Sequence, residues 1–158
     1  MSLKKILSVS LALVCALGVS GQVLASDVKV IVGTATGQIV SQDPFCGPPE
    51  VVCQTANVTG KATFLGSLTG VLSERVNILT GAYTGTATFR TSGGDTLNTV
   101  YVGQVVQQTP DGIVTFVEKH TIVGGTGRLA GASGELNIGG TADATGAVSV
   151  TAVGTLVK

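Results

Sequence analysis

The chain predicts an all-β fold, a single antiparallel barrel of eight strands, and three observations carry that expectation. Apolar and polar side chains alternate with a period of two through residues 81–90, 96–108 and 113–123, the repeat of a strand with one buried face. Turn chemistry separates such runs, as in Ser92-Gly93-Gly94-Asp95, Thr109-Pro110-Asp111-Gly112 and Asp143-Ala144-Thr145-Gly146, where glycine supplies positive φ and proline and aspartate set the bend. After the first 25 residues no apolar stripe at helical spacing outlasts a turn or two. Short strands without a long helix leave a sandwich or a barrel. Consecutive hairpins make a meander, which favours closure and removes exposed sheet edges.

The elements follow in order. Lys4 and Lys5 precede an apolar run from Ile6 to Val19, and Val23-Leu24-Ala25 offers small or aliphatic residues where a signal peptidase reads. Residues 1–25 are therefore expected to be a secretory signal peptide and residues 26–158 one barrel domain. The run is shorter than the about 20 apolar residues of a membrane span and is interrupted by Ser8, Ser10, Gly18 and Ser20, so no stable span is expected in the mature chain. Cys15 has Val14 where a lipid-attachment box needs a small residue, and is read as removed with the signal.

A first strand is expected over 27–36, with Val28, Val30 and Val32 on one face and Lys29 on the other. A proline-rich loop over 43–53 follows. Residues 57–77 read as two strands, with Gly66 and Gly70 as bulges or bends. The clearest alternation comes next: Tyr83, Ala87 and Phe89 share one face, and Thr84, Thr86, Thr88 and Arg90 the other. Strands over 96–108 and 113–123 form the meander. Strands over 135–142 and 147–157 complete the count.

Composition and charge exclude several classes. With 44% hydrophobic and 11% charged residues the chain can build a core, made of Val, Ile, Leu and Ala because aromatics are few. Loss of the leader leaves seven basic against nine acidic residues, a net charge of about minus two, with the cations scattered along the sequence. The footprint of a nucleic-acid binder is missing. Cys46 and Cys53, an even pair in a chain expected to be exported, predict a disulfide; six intervening residues in a stiff loop do not fit a redox motif. One histidine beside such a pair argues against a zinc site. Gly124-Gly125-Thr126-Gly127 lacks the Gly-Lys-Ser/Thr ending of a phosphate loop, and no cofactor is expected.

The candidate chemistry lies on the strand over 113–123. Val114, Phe116, Glu118, His120 and Ile122 share one face; if Phe116 and Ile122 point inward, Glu118 and His120 do too, and a buried carboxyl beside an imidazole can do acid or base work. The opposite reading, an outward face or an ordinary pair near a barrel mouth, stays open because Val117 and Val123 lie on the other face. Tyr83, Phe89, Tyr101 and Phe116 are the cavity-lining candidates. Asn98 and Gln104 fall on the face opposite Tyr101, so the three do not line one cavity.

Five glycines stand among the eleven residues Gly124-Gly125-Thr126-Gly127-Arg128-Leu129-Ala130-Gly131-Ala132-Ser133-Gly134. They suggest a turn, a short helical or irregular piece and a new strand. The string resembles the GGTGRFxGAxG signature of dirigent and allene-oxide-cyclase-like barrel proteins, where it bridges two late strands of an eight-stranded barrel. The resemblance implies that fold, a structural role for Arg128, and self-association into a homo-oligomer. Those families act by shaping a pocket around an apolar substrate. Outside the string no motif transfers a catalytic residue.

Three functions remain. The first is an exported, periplasmic or cell-surface non-enzymatic barrel that binds a small apolar molecule, suggested by small side chains and the lack of a convincing catalytic set. The second is a cavity-templating cyclase or isomerase, which requires Glu118 and His120 to line a pocket. The third is an oligomeric adhesive module using the threonine-rich face.

Overall fold

The computed structural model describes residues 27–158; the expected signal peptide and Cys15 lie outside the described residues. Eight strands close into one antiparallel barrel in sequence order: β1 (Val28–Asp43), β2 (Val51–Ala62), β3 (Gly66–Asn77), β4 (Ala82–Thr91), β5 (Thr96–Gln108), β6 (Val114–Gly125), β7 (Ser133–Ala142) and β8 (Ala147–Val157). Closure is made by β1 and β8, paired from Val28 opposite Val157 to Gln38 opposite Ala147. One 3-10 turn, Gly127–Leu129, interrupts the strands inside the glycine elbow.

Several boundaries differ from the sequence reading. The first strand runs on to Asp43 and the second starts at Val51, because long pairing between them satisfies backbone groups that a 43–53 loop would leave open. Cys53 thus sits in a strand, and bonds to Cys46 with a Cα separation of 5.9 Å. Gly70 runs through β3 in register without a bulge, opposite Phe89, while Gly66 leaves the β2–β3 turn with φ +72°. The register shifts fall instead between Ile39 and Ser41, between Asn98 and Thr99, and between Val105 and Gln107. Gly124 and Gly125 belong to β6. On β1 the valines form the outer face, and the inward residues are Ile31, Gly33, Ala35 and Gly37.

The two ends differ. At one, the β2–β3 turn, the β4–β5 turn, the elbow and both termini of the described chain meet; Leu65, Leu97, Ile122, Leu129, Ala132, Leu136 and Leu156 pack there as a plug with Ile31. Phe64 takes φ +66°, a costly conformation for an aromatic residue, in the turn that also delivers Leu65 to the plug. Arg128 ties the elbow to the β4–β5 turn: its backbone N–H and Nε donate to Asp95 at 3.2 and 2.7 Å, and these bonds hold the Asp95 carboxyl below the usual range. At the other end lie the β1–β2, β3–β4, β5–β6 and β7–β8 connections, and there the barrel opens.

Candidate functional site

Between the plug and the open end the barrel holds a cavity of about 580 Å3. Inward positions on β1, β2 and β8 are mostly small or aliphatic, with Ala35, Ala56, Val58, Val150 and Ala152 along the wall. The facing wall, on β3 to β6, adds polar groups: Glu74, Tyr83 and Glu118 line the cavity beside Phe89 and Phe116. Ser41, Gln42 and Asp143 line its mouth.

The period-two alternation of β6 carries Phe116, Glu118, His120 and Ile122 inward in sequence, from the mouth toward the plug. Glu118 Oε1 accepts a hydrogen bond from the Tyr83 hydroxyl at 2.9 Å, and its Oε2 lies 2.8 Å from His120 Nε2. His120 Nδ1 lies 2.9 Å from Thr99 Oγ1. An ionised Glu118 only accepts, so Nε2 carries the proton toward it and, in the neutral ring, Nδ1 accepts from the threonine hydroxyl; the tautomer is assigned from these roles. His120 is 0% exposed and Thr99 1%. They stand behind Glu118, which alone of the three borders the cavity.

A second tyrosine and carboxyl group lie alongside. The Tyr101 hydroxyl donates to Glu74 Oε2 at 2.9 Å, and Gln54 Nε2 donates to Glu74 Oε1. Burial raises the Glu74 carboxyl above its usual range, against the opposing pull of the Gln54 and Tyr101 hydrogen bonds. Burial, with the nearby carboxylates, pushes both phenols far up, so Tyr83 and Tyr101 remain protonated donors. The Tyr101 ring stacks on His120 with centroids 4.3 Å apart and planes 10° from parallel, and meets Tyr83 edge-on at 6.3 Å.

Two glycines make this cluster possible. Tyr83 faces Gly103 across β4 and β5, and Gly85 faces Tyr101. A Cβ on Gly103 would stand 2.1 Å from the Tyr83 ring, and one on Gly85 2.4 Å from the Tyr101 ring. Each phenol therefore lies over the bare backbone of its partner strand.

Of the residues singled out in the sequence, Tyr83, Phe89, Phe116 and Glu118 border the cavity. Tyr101 does not: the space over Gly85 and the face of His120 draw its ring behind the polar wall, which corrects its reading as a lining residue. Asn98 bonds Thr88 Oγ1 through Oδ1, and Gln104 Nε2 bonds the Thr80 carbonyl, both away from the cluster. Glu74, Gln54 and Thr99 were missed. The signal for Glu74 was its period: it is the acidic member of the face Leu68, Leu72, Glu74 and Val76. Among the described residues no three His, Cys, Asp or Glu side chains are grouped to hold a metal.

The arrangement can hold a polar group of a ligand against Glu118 or Glu74, exchange a proton with Glu118, and enclose an apolar body against the small-residue wall. No known family profile and no curated protein sequence matches the chain. Among solved structures it is similar to a pterocarpan synthase dirigent protein, with a TM-score of 0.54 and 15% identity over 84% of this chain and 85% of that one. The barrel is dirigent-like in fold, and at that identity the likeness speaks for the fold alone.

Proposed function

We propose that the mature protein is an exported barrel that binds one small, largely apolar molecule in its cavity without transforming it. The observation that carries the reading is the cavity itself, whose about 580 Å3 lies within the usual range for small-molecule sites of roughly 300–1,000 Å3. Its small-residue wall offers apolar area, and its few polar groups offer orientation. Export rests on the leader-like sequence and agrees with the Cys46–Cys53 disulfide. The outer face carries a Lys119–Glu135 ion pair at 3.0 Å with threonines and exposed valines around it, and a continuous lipid-facing band would exclude such a pair. Among the described residues no helix is long and apolar enough to cross a membrane.

A second reading is favoured by one observation, the Thr99–His120–Glu118–Tyr83 network with its carboxylate at the cavity wall. In that reading the barrel folds an apolar substrate and Glu118 moves a proton during cyclisation or isomerisation, with His120 as a positioning residue. The pterocarpan synthase of the same fold gives the reading a precedent for chemistry in such a barrel.

Titration with Nile red, a neutral dye that brightens on leaving water, tests the first reading. One equivalent should bind the parent protein. Binding should be lost in Ala56→Phe, which fills the wall, while the thermal midpoint stays close to that of the parent. Undiminished binding by the filled variant would place the dye on the outer face and sink the reading.

A further inference from the structure

The barrel is electrically polarised along its axis. Lys29, Lys61, Arg90, Arg128 and Lys158 all fall at or near the plugged end, where strand ends, elbow and the described termini meet. Asp43, Glu50, Asp111 and Asp143 all fall in or beside the connections that surround the mouth. Inside, the polar wall of the cavity carries two carboxyl groups, Glu74 and Glu118, beside the Tyr83 phenol. Asp27, Asp95 and Glu135 also lie toward the plugged end, each paired with a cation (Lys29, Arg128 and Lys119) at 2.7 to 3.0 Å, so that end keeps a cationic excess while the connections at the mouth are mostly acidic.

The sorting extends to detail. Thr145 and Ala147 hydrogen-bond Asp143 Oδ1 at 2.6 to 3.1 Å and hold its carboxyl below the usual range, so the mouth keeps that negative charge even in mild acid. Arg75 is the cation nearest the mouth, and it is exposed on the outer face of β3 against the β1–β2 loop, 2.8 Å from where a Cβ on Gly47 would stand. Lys61 borders the cavity toward the plugged end, with an exposed side chain on the outward-facing register of β2. No lysine or arginine among the described residues is buried in the cavity wall, and the one buried basic side chain, His120, stands behind Glu118 with Nε2 2.8 Å from its Oε2 and does not border the cavity.

We infer that the ligand is an amphiphilic amine: an apolar body on the small-residue wall of β1, β2 and β8, with a protonated nitrogen against Glu118 and Glu74. This deepens the binding reading and rests on it. A cleft of one sign between low-dielectric walls concentrates counter-ions and excludes like charge. An anionic amphiphile, such as a fatty acid, meets acidic groups at the mouth and again at the polar wall. An ammonium group meets acceptors in both places, and at the wall it has Glu118 and Glu74 oxygens to take its N–H donors. The apolar part of the ligand supplies the area term in either case, so the head group decides.

Three eight-carbon probes that differ only at the head test the inference by isothermal titration calorimetry at pH 7.5: octylamine, octan-1-ol and octanoic acid. Octylamine should bind tightest and octanoate weakest, with a ratio between these two of about tenfold or more, the scale of a charge-complementary contact out of water. In the double variant Glu74→Gln, Glu118→Gln the advantage of the amine over the alcohol should vanish. Octanoate binding as tightly as octylamine, or an advantage of the amine that survives the double variant, overturns the inference. If the alcohol binds and the amine is no better, the cavity reading stands and the cationic ligand falls. If no probe binds, both fall.

Discussion

The plugged end and the open half of the barrel are built from the same strands with the same alternation, yet one is solid and the other hollow. At the plugged end Ile31, Leu97, Ile122, Leu136 and Leu156 pack together from their strands, and two loops add Leu65, Leu129 and Ala132. Toward the mouth β1 offers Ala35 and Gly37 and β2 offers Ala56, which cannot meet across the axis. The difference teaches that closure of an eight-stranded barrel does not itself decide between core and pocket. Side-chain size at a few inward positions decides it. The polar cluster sits at the boundary, with His120 and Thr99 sealed and Glu118 and Glu74 reaching the cavity.

Truncation should separate the two halves most strongly. Leu156 is 0% exposed in the plug, and Leu156→Ala should cost about 3–5 kcal/mol in urea unfolding, the upper range for a buried leucine whose site cannot collapse. Phe116 borders the cavity and already lacks neighbours on one side, so Phe116→Ala should cost only about 2 kcal/mol despite the larger group removed. Equal losses at the two sites would mean that the open half is packed as densely as the plug.

The next effect comes from overfilling the boundary. Gly103→Ala puts a methyl 2.1 Å from the Tyr83 ring, and the ring must leave the bond to Glu118. A loss of about 1–3 kcal/mol is expected, together with a changed near-ultraviolet dichroism from the tyrosines. Unchanged dichroism would show that the strand pair shifts instead, with Tyr83 still bonded.

At the mouth, Cys46→Ser should be milder. The bridge spans a sequence separation of 7 within a hairpin that the strands already close, so the loss should be at or below about 2 kcal/mol, the low end for disulfides. Thermal melting should remain cooperative. Complete unfolding of the variant would mean that this loop holds the mouth together.

The strand count, the meander and the elbow were legible in the sequence because turn residues and the two-residue period are local signals. Glu118 and His120 could be placed on one face by period alone, but whether that face looked inward could not be read: Val117 and Val123 make the other face apolar too, and only pairing with β5 and β7 settles it. Glu74 was hidden for a different reason. Its partners Gln54 and Tyr101 lie on other strands, and no spacing within β3 announces them. The same holds for charge, since the cationic excess at the plug and the acidic excess at the mouth exist only once the strands alternate in direction.

The smallest predicted effect isolates that boundary electrostatically. Burial raises the Glu74 carboxyl above its usual value of 4.5, so between that value and its folded-state value the unfolded chain gives up a proton that the folded chain keeps. The folded state then binds more protons, and stability attributable to Glu74 falls as pH rises through this window, is constant above it, and is undiminished below it. Asp95 and Asp143 act in the opposite sense: their carboxyls are lowered, so their contribution is present above their unfolded value and lost as pH falls through their folded values. Glu74→Gln keeps an acceptor for the Tyr101 hydroxyl and, with the Gln54 amide turned over, a donor for its oxygen. The variant should therefore match the parent below about pH 4, become the more stable of the two as pH rises, and hold a constant advantage once Glu74 is fully ionised. Urea unfolding at several pH values reads the difference, in which the aspartates cancel. An advantage that shrinks with rising pH would mean that the Gln54 and Tyr101 hydrogen bonds outweigh burial, and that the charged form of Glu74 belongs to the packed half of the barrel.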